Sequence, residues 1–192
     1  MKFILARKIE MSQVFDNKGN VRPVTWLEAG PVFVTQKKTK EKDGYVAVQV
    51  GLPARLAGRQ AGKAGFGKTK KEFRGAVMEV GEKVEASVFS EGDAVSVAGI
   101  SKGKGFQGVV KRHGFHGGPR THGQKHSERE PGSIGATWPQ RVLKGMRMPG
   151  RMGGGRITVK NLKVIKIIPE KNLMAVSGAI PGHRGSLVEV RG

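Results

Sequence analysis

The sequence of 192 residues contains no cysteine, one tyrosine and few acidic residues. Without cysteine it can form no disulfide scaffold, no Cys-ligated zinc site and no iron–sulfur cluster. No apolar run is long enough to predict a transmembrane helix, and the opening residues 1–6 are too short to predict a secretory signal. Only three aspartates are present, Asp16, Asp43 and Asp93, and no pattern around them indicates acid–base catalysis.

Positive charge and glycine are present in excess. Lysine and arginine number 35 against 15 aspartates and glutamates, so the formal net charge is +20, and 30 residues are glycine. A charge of this size favours a polyanionic partner, either a nucleic acid or an anionic membrane surface. No amphipathic helix accompanies the charge, so we expect no membrane partner.

The excess charge is concentrated in two glycine-rich segments. Residues 51–75 carry a net charge of +6 and residues 101–156 carry +10, and together they hold 20 glycines and four of the five histidines. Residues 76–100 carry −4, which we interpret as a solvent-facing side of the body. A 56-residue insertion with few aliphatic residues cannot bury a core, so we expect 101–156 to become ordered only against its partner.

The remaining segments have the pattern of short strands. Apolar residues alternate in 45–50, 84–88 and 95–97, and turn residues separate the strands predicted near the C-terminus. A phase shift between Val159 and Leu162 predicts a β-bulge. We therefore predict a mainly β fold, an antiparallel barrel built from 1–50, 76–100 and 157–192, interrupted by basic insertions at 51–75 and 101–156. Short helices are considered at 68–74 and 106–112.

The long insertion supplies the candidate binding residues. Its cations are spread along the chain, which suits backbone threading between phosphates, while its histidines can bond phosphate or stack on bases and its tryptophan can stack on a base. The predicted RNA-binding residues are Lys102, Lys104, Lys111, Arg112, His113, His116, Arg120, His122, Lys125, His126, Arg129, Trp138, Arg141, Lys144, Arg147, Arg151 and Arg156.

Three other functions compete with this interpretation. The letters GKAGFGKT at 62–69 match a phosphate loop, but neither a buried strand before them nor a helix of useful length after them is predicted. Four histidines within 113–126 suggest a metal site, although the surrounding cations disfavour a dication. A free-standing RNA chaperone has the same charge pattern. We expect no enzyme, no metal and no cofactor.

The motifs of the insertion resemble a known family. The run SKGKGFQGVVKRHGF at 101–115, with THG at 121–123, PGSIG at 131–135 and KGMRMPG at 144–150, resembles the signature of large-subunit ribosomal protein number three, bacterial type. The resemblance extends over nearly the whole chain apart from about 52–80. One departure is Glu10, which stands where the family usually has glycine.

The resemblance implies a translation-factor-type barrel at the ribosomal surface, in the cytoplasm. It implies that the extension, about 102–156 here, runs into large-subunit rRNA of the 23S type and approaches the peptidyl-transferase centre without catalytic groups. The family also implies a role in early subunit assembly and contact with neighbouring large-subunit ribosomal proteins. No small-molecule substrate is implied.

Overall fold

A computed structural model describes residues 2–16, 18–53 and 66–192. The chain divides into two compact units. The first, here called the barrel unit, comprises 1–101 and 156–192, and the second, here called the arm, is Lys102–Gly155. The phosphate-loop letters at 62–65 lie outside the described residues.

Six strands of the barrel unit close into a barrel in which every neighbouring pair is antiparallel. This confirms the predicted fold class. In chain order the barrel strands are β1 (Phe3–Phe15), β2 (Val21–Ala29), β7 (Ala94–Ile100), β10 (Arg156–Ile168), β11 (Leu173–Ser177) and β12 (Leu187–Arg191). Their order around the barrel is β1-β12-β7-β10-β11-β2.

The register of β10 contains the predicted irregularity. Its pairing with β7 shifts between Val159 and Leu162, where the apolar pattern of the sequence changes phase. The segment after β10 forms a 3-10 turn, Pro169–Lys171, followed by Asn172 in the left-handed conformation. A second shift, between Lys8 and Met11 of β1, places Glu10 on the exposed side, where its carboxylate lies 3.4 Å from Arg184.

A four-stranded sheet accompanies the barrel and was not predicted as a separate element. Its order is β5-β4-β3-β6, from β3 (Val32–Lys38), β4 (Ala47–Pro53), β5 (Phe66–Arg74) and β6 (Lys83–Val84). A short helix α1 (Lys40–Asp43) connects β3 to β4, and a 3-10 turn (Ala86–Val88) follows β6.

Strand β5 corrects two expectations about 51–75. The segment was expected to be an insertion apart from the body, with a short helix at 68–74. Its described parts instead belong to β4 and β5, and Phe73 is fully buried. Antiparallel pairing with β4 and the burial of one aromatic ring outweigh the weak helical pattern of the lysines.

The hydrophobic core joins the barrel and the sheet. It contains Leu5 and Leu27 from the barrel with Val48 and Phe73 from the sheet, and the ring of Phe73 stacks on Phe3 at a centroid distance of 4.3 Å. Since both layers contribute to one apolar cluster, residues 2–16, 18–53, 66–101 and 156–192 form a continuous packed body.

The arm is the insertion between β7 and β10, whose ends Ile100 and Arg156 are cross-strand neighbours. It contains a two-stranded ladder of β8 (Phe106–Gln107) and β9 (Gly150–Arg151), the helix α2 (Val109–His113) and a 3-10 turn (Ser127–Arg129). The helix expected at 106–112 therefore begins later, because Phe106 and Gln107 pair with β9 instead.

Candidate nucleic-acid interface

The arm buries almost none of its side chains. Among residues 102–155 only Val109 is buried. Two glutamates accompany eleven lysines and arginines, so the arm carries a formal net charge of +9 with neutral histidines. A segment of this composition has neither the apolar area nor the counter-charges to be stabilised by its own side chains.

Backbone contacts shape the arm instead. Glycines permit close approach at two points: a Cβ at Gly117 would collide with the carbonyl of Glu128, and one at Gly153 with the carbonyl of Lys102. Both glycines also have positive φ, at 78° and 74°. Substitution at either position would therefore displace the chain, since the colliding partner is backbone.

Helix α2 fixes two of the predicted binding residues. It ends at Gly114 in the left-handed conformation, whose N–H donates to the carbonyl of Val110. The Arg112 guanidinium donates to the carbonyl of Met148 at 2.7 Å, and Nε2 of His113 lies 3.0 Å from the same oxygen. These contacts connect the two halves of the arm, so Arg112 and His113 have a structural role within it.

Nine of the predicted cations are exposed and, across the ranges that the structure describes, none has an ion pair or side-chain hydrogen bond. They occur on both halves of the arm rather than in one block: Lys102, Lys104, Lys111, Lys125, Arg129, Arg141, Lys144, Arg147 and Arg151. Their ammonium and guanidinium groups are available to an anionic partner.

Two predicted arginines have carboxylate partners. Arg120 pairs with Glu128 within the arm at 2.7 Å. Arg156 lies at the start of β10 in the barrel unit, where it pairs with Glu189 at 2.7 Å. Glu189 is largely buried and also contacts Arg191 at 3.3 Å and Lys71 at 3.6 Å. Arg156 thus belongs to an ion cluster of the body.

The histidines do not form a metal-binding cluster. His116, His122 and His126 are exposed, whereas His113 contacts the Met148 carbonyl. Within the part of the chain that the structure describes, no group of three or more histidines and carboxylates is placed to hold a metal ion. His122 has a positive φ of 57°, a backbone conformation for which a non-glycine residue is uncommon.

Two aromatic side chains of the arm are almost fully exposed. Trp138, predicted as a stacking residue, is 83% exposed and lies in the loop between the 3-10 turn and β9. Phe106, which is 84% exposed, was not among the predicted binding residues. Its position between Gly105 and the Gln107-Gly108 pair, surrounded by lysines, was the signal that the sequence offered.

The phosphate-loop alternative is not supported by the fold. The mechanism needs a helix that begins near the lysine and threonine of the motif. Residues 66–74 instead form β5, antiparallel to β4. Extended backbone at this position does not present the row of N–H groups that a helix N-terminus directs at a phosphate.

The side chains whose pKa is shifted from its ordinary value lie in the barrel unit. Hydrogen bonds to Tyr45 and Glu72 raise the pKa of Lys38. The hydrogen bond from Lys38, and after it the hydrogen bond from Tyr45, lowers the pKa of Glu72. The three groups meet at 2.9 Å and tie β5 to β3. The pKa of Asp93 is lowered, first by Lys2 and then by the Ser90 N–H. A hydrogen bond from the Asn20 N–H, at 2.9 Å, lowers the pKa of Asp16 in the β1–β2 turn.

No helix in the described ranges is long and apolar enough to span a membrane.

The chain is similar to known proteins over nearly its whole length. The family model of "Ribosomal protein L3" matches residues 54–174. The "Large ribosomal subunit protein uL3" of Geobacillus thermodenitrificans (strain NG80-2) is 50% identical over 203 residues, covering 99% of this chain and 95% of the relative. The protein of that name from Desulforudis audaxviator (strain MP104C) is 50% identical, with 99% and 94% covered. The protein of that name from Desulfitobacterium hafniense (strain Y51) is 49% identical, with 97% and 93% covered.

A closed barrel with a basic arm, matched over this length, defines the molecule as a ribosomal protein. The family model matches more than half of the chain, and the relatives span nearly all of it. The chain belongs to the ribosomal protein L3 family. That family is structural and non-enzymatic, which confirms the prediction that the chain is not an enzyme.

Proposed function

We propose that the chain is a structural constituent of the large ribosomal subunit, acting in the cytoplasm, and that its arm binds large-subunit rRNA of the 23S type directly. The names of the relatives support the first part, since each is a protein of the large ribosomal subunit. The charge and exposure of the arm support the second part.

One observation carries the RNA proposal: the arm has a net charge of +9 and a single buried side chain. Surrounding the arm with phosphates would neutralise the mutual repulsion of its cations and supply the contacts that its own side chains do not provide. Arginine pairs bidentately with phosphate, and the glycines allow the backbone to approach closely.

The arm is proposed to extend toward the peptidyl-transferase centre and to stabilise RNA there by neutralising charge and filling space. It would supply no catalytic group. Support comes from membership in the family. The barrel unit is proposed to contact neighbouring ribosomal proteins, with the exposed acidic residues Glu79, Glu82 and Glu91 facing away from RNA.

A high-salt wash of ribosomes distinguishes this function from that of a free-standing RNA chaperone. The full chain, expressed with an affinity tag in a bacterial host, should sediment with the large subunit and stay there at salt concentrations that remove loosely bound proteins. A chaperone held only by exchangeable phosphate contacts should move to the supernatant. Release of the tagged chain under these conditions, with the host's own core proteins retained, would contradict the proposal.

Neutralisation of about ten phosphates also predicts a steep salt dependence. Plotted as log affinity against log salt, binding of purified chain to large-subunit rRNA should fall with a slope of about −7 to −9. A nearly flat dependence would show that the exposed cations of the arm do not make the contacts proposed for them.

A further inference from the structure

An apolar groove lies beside Phe106 at the beginning of the arm. Its volume is about 420 Å³, and it is lined by Phe106, Gln107, Gly108, Pro149 and Gly150. The ring of Phe106 is 84% exposed, although phenylalanine side chains are usually buried. This aromatic surface therefore has no partner within the arm.

The backbone around the groove is held in place. Phe106 is the cross-strand neighbour of Arg151 in the β8–β9 ladder. The ladder continues through the N–H of Met152, which donates to the carbonyl of Gly105 at 2.8 Å, and the N–H of Lys104, which donates to the carbonyl of Met152 at 2.9 Å. The exposed ring thus projects from a fixed pair of strands rather than from a loop.

The walls of the groove leave room for a flat group. Gly108 has no side chain, and a Cβ placed there would meet nothing within 4 Å. On the Gly150 side the Arg112 guanidinium lies close by, since a Cβ at Gly150 would stand 2.7 Å from its Nη1. Pro149 adds a rigid apolar surface. A planar ligand could lie against the ring of Phe106 with its edge toward this wall.

The charges around the groove identify the occupant. Lys104 and Arg151 flank Phe106, one preceding it in the chain and the other across the ladder, and both are exposed without a described carboxylate partner. Neither 102–127 nor 131–155 contains an aspartate or glutamate. An aromatic surface between cations complements a group that is planar on one side and anionic on the other, which is the chemistry of a nucleotide.

We propose that the Phe106 groove receives one unpaired RNA base, stacked on the phenylalanine ring, with the adjoining phosphates against Lys104 and Arg151. The proposal rests on the proposed function, because it assumes that the arm binds RNA, and it names a base-contacting site that differs from the phosphate contacts. Stacking does not depend on phosphate neutralisation, so its loss should leave the salt slope unchanged.

Two RNA probes of equal charge test this site. One is a twelve-nucleotide oligoadenylate, and the other is the same ribose-phosphate chain with every base removed. For the full-length protein, Phe106→Ala should weaken oligoadenylate binding about tenfold, leave abasic binding unchanged and preserve the salt slope of both. Phe106→Trp should retain oligoadenylate affinity. Phe106→Leu keeps an apolar side chain but has no π face, so it should lose most of the oligoadenylate affinity.

Phe15→Ala is the matched control. Phe15 is 64% exposed at the end of β1, in the barrel unit, so the same substitution removes a similarly exposed ring outside the arm. It should bind both probes like the unmodified chain. A far-UV circular dichroism melt should show each variant folded, since neither exposed ring is part of the core.

The other outcomes each have one meaning. Equal weakening of both probes by Phe106→Ala, or full affinity in Phe106→Leu, would overturn stacking while leaving RNA binding by the arm intact. Pull-down of a protein that binds the unmodified chain but not Phe106→Ala, without any change for RNA, would assign the groove to a protein partner and overturn the proposal. Failure of the unmodified chain to bind either probe in a salt-dependent way would contradict the proposed function itself.

Discussion

The barrel unit and the arm handle charge in opposite ways. In the barrel unit, Glu189 is largely buried and has Arg156, Arg191 and Lys71 around it, and Asp93 pairs with Lys2 at 2.6 Å. In the arm, nine lysines and arginines are exposed without a described carboxylate partner, and a single side chain, that of Val109, is buried. The barrel unit is therefore stabilised by its own contacts, whereas the arm has unpaired charge available for a partner.

Removal of most of the arm should give the largest contrast between the two regions, because it should abolish large-subunit assembly without unfolding the barrel unit. Replacing residues 120–150 by a short glycine–serine linker leaves every core residue of the barrel unit in place. We expect the thermal melt of the barrel unit to be unchanged and large-subunit assembly to fail in cells that depend on this chain. Normal yields of large subunits on sucrose gradients would contradict the role in early assembly that the family resemblance implies. An unfolded barrel would contradict the independence of the two units.

Substitution of one aromatic residue in each region should show the next largest contrast. Phe73→Ala removes a fully buried ring that stacks on Phe3, so the free energy of unfolding should fall by about 3–5 kcal/mol. Trp138→Ala removes an exposed ring and should change it by less than about 0.5 kcal/mol. Urea titration followed by circular dichroism measures both, and equal losses would show that the arm is packed more tightly than its exposure indicates.

The sequence was sufficient for the elements whose pattern is local. Alternation at 95–97 predicted barrel strand β7, and the change of phase located the irregularity between Val159 and Leu162. The alternating run at 45–50 belongs instead to β4 of the four-stranded sheet, and the run at 84–88 is mostly a 3-10 turn. The charge count drew attention to 101–156. These features depend on the side-chain period of a strand or on composition, which short windows of sequence contain.

Elements that depend on distant partners were not predictable in this way. Strand β5 has two phenylalanines, Phe66 and Phe73, among lysines, and no alternation of apolar residues. Its strand state depends on pairing with β4 and on the contact of Glu72 with Lys38 and Tyr45. The exposure of Phe106 and the partner of Arg156 likewise follow from tertiary placement. A sequence pattern identifies a cation or a ring but does not show which carboxylate or core it meets.

The salt dependence of RNA binding should distinguish the exposed cations of the arm from Arg156, which is paired in the barrel unit. Arg141→Ala and Lys144→Ala remove exposed charges of the arm, and each should reduce the slope of log affinity against log salt by about 1. Arg156→Ala should reduce it less, because its guanidinium already pairs with Glu189. Binding to large-subunit rRNA, measured at four or more salt concentrations, gives the slopes. A larger change for Arg156 than for Arg141 would reverse the proposed division between body and arm.

The smallest expected effect is the pH dependence of Asp93. Lys2 and the Ser90 N–H hold the pKa of this carboxyl below the ordinary value of 3.8, so the folded protein favours the charged form more than the unfolded chain does. The resulting stabilisation is fully present above that ordinary value and is lost as pH falls through the folded-state pKa. Asp93→Asn should therefore lower the melting temperature at pH 6 and converge with the unmodified chain at the acid end. Lys2→Met should remove the larger part of the difference, because Lys2 is the first cause of the shift, and a melting-temperature gap that stayed constant down to pH 2 would contradict this assignment.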